Sequence, residues 1–474
     1  MRNSKEDRVR RIRVAGFLND GLHIAEQVAS GMFAVHEKMP DNSWRTVELP
    51  EFPDAGGEGV LVPMQRPLWP AAPMPVEYGD ESTLFSELID FFRKHEALRD
   101  PNAFEILAAF VFLTYRLGFE FTITPYLNVL GPKGTGKTRL MELLALLCFR
   151  GWLVTHPSPA SVFYVVDRYA PTLLADNYEF WSKESRVELD GLFNAGYRSG
   201  AVVPRRPKDD SGSNELQVYR VFCAKGVSGT RVLSDALDSR CVHMRTARSM
   251  EPLPMFPNEK WAAQLRAKLL AYRFKHFEEP IVRDEALTNR YSRVGEIFYP
   301  LLTVAPNEEV AQRIADFAQG IYADDIEEEA SSFDADIVEA IHEAEPLVVD
   351  GKLAIANILT AFNKSRTEKE KIKARSLGWA LKRLGFKKTR LGDTAATRAI
   401  QFDGKLLEHL DRTYKPSLSA ISANPTVSAI KGGTQATFEA SQQQPPPIPP
   451  KTSETTETTE KTTIPPQAGS VNYG

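Results

Sequence analysis

At 474 residues the chain is longer than one hydrophobic core usually organises, so roughly two to four domains are expected. Its 42% hydrophobic and 25% charged residues are those of an ordinary soluble protein, which argues against a membrane or low-complexity class. The net charge of −4 gives no whole-chain sign of a polyanion partner, so any nucleic-acid surface has to be local.

Cys148, Cys223 and Cys241 are widely spaced and lack a CxxC pairing, which argues against a zinc site or a disulfide scaffold. They are expected to be buried small hydrophobes in a reducing cytosol. No run reaches the roughly 18 apolar residues of a membrane span. No apolar stretch resembling a signal peptide follows "MRNSKEDRVRR". The expected location is therefore cytoplasmic, with no membrane partner.

In chain order, 1–78 reads as a β-rich region and linker. The runs "IRVAGFL", "LHIAEQV" and "MFAVHEK" are broken by Asn19-Asp20-Gly21 and Ser30-Gly31, and a Pro- and Gly-rich linker follows from about 50 to 76. Region 79–123 is helical, with Leu84, Leu88, Phe91 and Phe92, then Phe104, Leu107, Phe110 and Leu113 at helical spacing. Region 124–247 alternates: strand 126–130, helix 137–149, strand 152–155, helix 159–169, strand 171–175, helix 186–195, then strands near 201–204, 216–227 and 241–245. Such alternation predicts an α/β fold with an open, mostly parallel sheet. Region 248–330 is helical. Region 331–414 reads as three helices followed by two strand-like runs flanking Gly392-Asp393, the order of a winged helix. From 415 to 474 the Ser/Thr/Pro/Gln composition predicts a disordered tail.

The stretch "GPKGTGKT" satisfies G-x-x-x-x-G-K-[ST] between a buried strand and an amphipathic helix, the context a phosphate loop requires. Gly131, Lys133, Gly134, Thr135 and Gly136 would converge their backbone N–H groups on phosphates, with Pro132, which has none, shaping the loop. Lys137 would meet the β/γ oxygens of ATP, and Thr138 would offer its hydroxyl to Mg²⁺. Downstream, "PTLLADN" ends an apolar strand with Asp176, placed to hold Mg²⁺ through water. The next position, where many ATPases carry a Glu that deprotonates the attacking water, holds Asn177. An Asn aligns a water but accepts no proton; Glu179 or Glu184 is the alternative base. Arg240 in "LDSRCVHMR" is placed to meet γ-phosphate charge on a neighbouring subunit, which would require assembly.

These motifs, with "LDGLFNAGYRSGAVV" and "SRVGEIFYPLL", resemble the ATPase domains of phage and mobile-element primase-helicase proteins, relatives of superfamily 3 helicases within the AAA+ class. The resemblance covers about 80 to 310 and implies a P-loop NTPase (AAA+-like) core with a helical lid. It also implies an ATP-driven ring, often a hexamer, that moves on DNA during replication of the element. By position, Lys137 and Thr138 match Walker A, Asp176 matches the Walker B aspartate, and Arg240 matches the arginine of the "L-x-x-R" segment. Asn177 departs from the usual Asp-Glu pair. The segment "GAVVPRRPKDDSGSNELQVYRVF" is similar to the family's DNA-contacting hairpin, with Arg205, Arg206 and Lys208 near its tip. Lys225 and Ser228 are candidates for a γ-phosphate sensor and Arg293 for a lid-side contact. No primase motif is apparent, so priming would fall to a separate protein.

One segment is locally basic. From Lys364 to Arg390 eleven cations stand against Glu368 and Glu370, and Lys371, Arg375, Lys382, Lys387 and Lys388 are the expected DNA contacts. Leu377, Trp379, Ala380 and Leu384 are expected to form the apolar stripe of the same helix. The leading expectation is an ATP-hydrolysing helicase or DNA remodeller. Its rival is a nucleotide-gated DNA-binding or assembly factor with little hydrolysis. A metabolic P-loop kinase fits less well, since it needs no basic winged helix.

Overall fold

The computed structural model describes residues 10–19, 21–54, 59–178, 181–205, 216–230, 233–278, 293–330, 332–364, 366–367, 370–391 and 397–414. The expected tail, 415–474, lies outside the described residues, as do Glu179, Arg206, Lys208 and the Gly392-Asp393 turn. The chain divides into two compact units, Met1–Ala315 with Gly432–Gly474, and Asp316–Lys431. It is a mixed α/β protein with a five-stranded parallel sheet. Among the described residues no helix is long and apolar enough to cross a membrane.

The first unit begins with strands β1 (Arg10–Val14), β2 (Gly16–Asn19), β3 (His23–Gln27), β4 (Phe33–Lys38), β5 (Trp44–Leu49), β6 (Phe52–Pro53) and β7 (Gly59–Pro63). β2 to β5 form an antiparallel meander, while β1, β7 and β6 form a three-stranded sheet in that order. The Pro- and Gly-rich stretch from 50 to 76 is therefore not only linker. It supplies β7, whose Val60, Leu61 and Val62 pair with β1. Phe17, Phe33, Val35 and Leu61 form the core of this region. Arg150 ties it to the rest of the unit: both nitrogens facing Glu26 donate to that carboxylate at 2.8 and 2.6 Å, and both side chains are buried.

Helices α1 (Glu81–His95) and α2 (Ala103–Arg116) follow. Asp80 caps α1 by accepting from the Thr83 N–H at 2.9 Å, and the apolar positions that recur at helical spacing are its buried ones. α2 is buried all round, as a helix with apolar residues on every face must be.

The parallel sheet is built from β8 (Tyr126–Leu130), β9 (Gly151–Val154), β10 (Thr172–Ala175), then, after the two-stranded antiparallel hairpin of β11 (Val202–Arg205) and β12 (Gln217–Arg220), β13 (Lys225–Gly229) and β14 (Cys241–Arg245). Its strand order is β14-β8-β13-β10-β9. Helices α3 (Lys137–Leu147), α4 (Pro159–Tyr169), α5 (Lys183–Ala195) and the short α6 (Asp235–Asp238) connect these strands, and α7 (Glu259–Glu278), α8 (Arg293–Thr303) and α9 (Glu308–Ala330) follow. Near-continuous burial of β8, β10 and β13 is what a sheet covered on both faces demands. The three cysteines are buried and unbridged.

The second unit contains α10 (Phe333–Ala344), β15 (Lys352–Ala354), α11 (Ile355–Asn363), α12 (Ala374–Arg383), β16 (Lys388–Leu391), β17 (Thr397–Gln401) and α13 (Gly404–Tyr414). Its strands form an antiparallel sheet in the order β15-β17-β16. Ile337, Ile341, Leu353, Ile358, Leu377, Leu381 and Ile400 make its core. The three expected helices and the hairpin arms are present; β15 and α13 are additions.

Candidate nucleotide site

All five strands of the main sheet run parallel, so residues that follow β8, β10 and β13 share its carboxyl edge. Ligands bind at that edge in open α/β sheets, because loops and helix N-termini converge there. The segment 131–136 leaves β8 and turns into α3. Gly134 and Gly136 have φ of 81° and 91°, the left-handed region that costs a residue with a Cβ about 1–2 kcal/mol. A Cβ on Gly131 would lie 2.3 Å from the Thr246 hydroxyl and 2.6 Å from that of Thr135. Those hydroxyls bond each other at 2.8 Å and hold the loop against the end of β14. Pro132, Lys133 and Gly134 remain exposed.

Lys137 opens α3. Its ammonium donates to the Gly131 and Pro132 carbonyls at 2.8 and 2.9 Å, folded over the loop it belongs to. Thr138 donates its hydroxyl to both oxygens of Asp176, at 3.3 and 3.1 Å. Asp176 follows β10 and is 1% exposed. The Ser228 hydroxyl, on β13, donates to Asp176 Oδ1 at 2.5 Å and accepts the Asn177 backbone N–H at 2.9 Å. Asn177 has φ of 53° and donates its side-chain amide to Asp176 Oδ2 at 2.7 Å. The sheet thus brings Lys137, Thr138, Asp176, Asn177 and Ser228 together from three strands' ends.

The donor set suits Mg²⁺. This ion takes oxygen ligands, keeps several waters and is held by one or two protein groups plus phosphates. The Thr138 hydroxyl and the Asp176 carboxylate are such oxygens, and they already lie within hydrogen-bond distance. Among the described residues no cluster of three or more His, Cys, Asp or Glu forms an all-protein metal cage. A phosphate-bound cation needs none.

Sequence reasoning missed Glu96. It follows α1 and is 4% exposed, and its carboxylate lies so close to Gly136 that a Cβ there would meet both oxygens at 2.4 Å. Oε1 accepts from the Ala97 N–H at 2.9 Å, while Oε2 has no partner among the described residues. Burial pushes its carboxyl up to about 7, against smaller lowering effects of that N–H and of Arg139. The loop motif and the far-off Glu96 are joined only by the fold, so no local signal marked it. Arg139 completes this wall by donating to the carbonyls of His95, Pro254 and Met255. Met255 and Phe256 are exposed beside it.

Arg240 lies at the other edge of the sheet. It precedes β14, whose Cys241 pairs with Tyr126 at the start of β8, so roughly five strand positions, or about 17 Å, separate it from the loop of its own chain. Half-buried, its guanidinium stacks over the Tyr197 ring at 4.7 Å, and its Nε has no hydrogen-bond partner among the described residues. Lys225 is also at that edge, opening β13 rather than closing it. Fully buried, it donates to the carbonyls of Gly196, Val221 and Cys223 at 3.0–3.1 Å, a structural post far from any γ-phosphate. Of the two sensor candidates only Ser228 reaches the site. The cavity lined by Thr114, Phe149, Arg150, Thr172, Cys223 and Arg273 belongs to the amino edge as well.

Arg205, on the hairpin, pairs with Glu188 at 2.6 Å and stacks over Phe163 at 4.5 Å. Arg293 opens α8, but its side chain lies outside the described residues. In the second unit Arg375, Lys382, Lys387 and Lys388 are exposed, as is Lys371.

No protein-family model matches the chain, and no curated protein matches it. Solved structures of the C-terminal region of NrS-1 do. An A-form apo structure is 11% identical with a TM-score of 0.33, over 80% of this chain and 96% of that one. A second A-form apo structure gives 14% and 0.34, over 78% and 94%. A further apo structure gives 12% and 0.30, over 79% and 95%. Similarity that low leaves fold and function to be argued from the chain's own residues.

Proposed function

We propose that the chain is an AAA+-like P-loop ATPase, a helicase or DNA remodeller acting in the replication of a phage, plasmid or other mobile element. The observation that carries the ATP reading is the meeting of Lys137, Thr138 and Asp176 at the carboxyl edge of a parallel sheet, beside a glycine loop that opens a helix. A triphosphate entering the loop would meet backbone N–H groups and the positive end of α3. The Lys137 ammonium would exchange two carbonyl acceptors for phosphate oxygens, a stronger charge-assisted pairing. Bound Mg²⁺ would neutralise charge on the β/γ oxygens, with Thr138 and Asp176 as its protein side. Asn177 and Ser228 hold Asp176 in one orientation. Because Arg240 points from the opposite edge, the γ-phosphate it serves would be a neighbour's, which favours a homo-oligomeric ring.

DNA engagement rests on the second unit. Its order of helix, strand, two helices and hairpin, with the third strand completing a small sheet, supports the winged-helix reading, and its exposed cations supply the phosphate contacts. The test is Lys137→Ala. Wild-type protein is expected to hydrolyse ATP faster with DNA present, and the variant to lose both ATP binding and turnover. Wild-type protein that forms oligomers yet releases no phosphate with any DNA would sink the motor reading.

A second reading has its own observation. Asn177 offers an amide, not a base, beside Asp176, and that amide is occupied by Asp176 Oδ2. This favours a nucleotide-gated DNA-binding or assembly factor that binds ATP and turns it over slowly.

A further inference from the structure

The hydrophobic spacing of 377–384 places Trp379 in the core of the second unit, but the fold puts it outside. Leu377, Ala380 and Leu381 face the core, whereas Trp379 is 65% exposed. Tryptophan is highly buried on average, and what marks this one is less its exposure alone than the cations beside it. Trp379 makes no aromatic contact among the described residues. Its neighbours on the helix surface are Arg375, four residues before it, and Lys382, three residues after, both exposed. Lys388 from β16 extends over the same helix: a Cβ on Gly378 would lie 3.7 Å from its ammonium.

The cations of the basic segment divide into two sets. Arg383 is bound to Asp334 and Arg366 to Asp336, so these hold the fold. Lys373, Arg375, Lys382, Lys387 and Lys388 have no acidic partner among the described residues. A flat π surface therefore shares its helix surface with Arg375, Lys382 and Lys388, which no acidic side chain among the described residues neutralises.

We propose that Trp379 is a base-stacking platform, and that this face binds nucleic acid carrying unpaired bases, with Arg375, Lys382 and Lys388 on the flanking phosphates. An intact duplex stacks both faces of every internal base on its neighbours and leaves none for an indole. A single strand has free base faces, and an aromatic ring flanked by cations is what sequence-tolerant single-strand binding uses. This inference rests on the reading of the basic helix as a nucleic-acid surface and specifies its substrate.

The experiment uses the full chain with an oligo-dT strand, an oligo-U strand and a blunt DNA duplex, following binding by anisotropy and by tryptophan fluorescence across a salt series. Fluorescence should be quenched by the single strands in the wild type and not in Trp379→Phe. Trp379→Ala should weaken single-strand binding about tenfold, with Trp379→Phe losing less. Neither change should alter the salt slope, whereas Lys382→Ala and Lys388→Ala should each reduce it by about 0.7. The two single strands report whether sugar chemistry matters. If the lysine variants lose affinity but Trp379→Ala does not, stacking is wrong and the surface reading survives. Equal losses on duplex and single strand also overturn stacking. If no variant changes binding, the basic-surface reading itself fails.

Discussion

In the proposed ATPase reading, Asp176 would hold the cation and Asn177 would stand where the attacking water is activated. Here the second position carries an amide that donates to the first, and the Ser228 hydroxyl fixes both. Asn177→Glu restores a proton acceptor but places a second carboxylate beside Asp176. If the protein is a slow switch, the expected outcome is a rise in phosphate release under saturating ATP of about a hundredfold or more, the range a general base contributes. Unchanged turnover would mean that another group already takes the proton. Glu96 makes a separate prediction at this scale. Its carboxyl ionises near 4.3 in an unfolded chain and near 7 when folded. Between those values the folded state binds more protons, so stability falls as pH rises through the window. An ionised Glu96 also sets negative charge against the loop where phosphates would lie. ATP affinity should therefore fall from about pH 6 to about pH 8 more steeply in the wild type than in Glu96→Gln. Superimposable pH profiles for the two proteins, by titration calorimetry, would show that Glu96 does not sense the loop.

At the scale of elements, the loop between β8 and α3 was legible because strand, glycines and amphipathic helix are consecutive in sequence. β8 and α4 begin and end where the periodicity places them, and the same holds for β14. What was not legible depends on strand order. Nothing local says that β13 inserts between β8 and β10, yet that insertion puts Ser228 on Asp176 and sends Lys225 to the opposite edge. The short β7 was hidden for a related reason: its partner β1 is far away in sequence and supplies the pairing that its Pro- and Gly-rich surroundings do not advertise. Trp379 was misplaced because one helical turn tolerates two phases of an apolar stripe, and the neighbours that choose between them come from α10 and α11. Gly136 tests the loop as a built element. Gly136→Ala adds a methyl against Glu96 at a φ of 91°, with a conformational cost of about 1–2 kcal/mol besides the clash. The variant should melt lower and bind ATP more weakly. Adding Glu96→Ala should restore part of the melting temperature, since it removes the clash but not the backbone strain. Strictly additive losses would mean that the two residues do not touch.

At the scale of the whole molecule, the proposed phosphate loop at one edge of the sheet and Arg240 at the other would form a heterologous pair in the proposed ring: each copy would offer one half of a site and take the other half from its neighbour. Such head-to-tail contacts close into rings when the rotation permits. The guanidinium rests on Tyr197 and the residue keeps part of its surface exposed, but its Nε is buried without a partner among the described residues, so contact with a neighbour's anion would fall to the terminal nitrogens. Arg240→Ala should therefore keep ATP binding, because its own loop is untouched, and lose turnover. Lys137→Ala should lose both. The decisive measurement mixes the two inactive proteins under assembling conditions. If the site is shared, some interfaces will join the intact loop of an Arg240→Ala copy to the intact arginine of a Lys137→Ala copy, and ATPase activity will reappear in the mixture alone. A mixture as inactive as its parts, in oligomers shown by mass measurement to contain both variants, would place Arg240 outside the catalytic interface and leave the ring without its chemical reason.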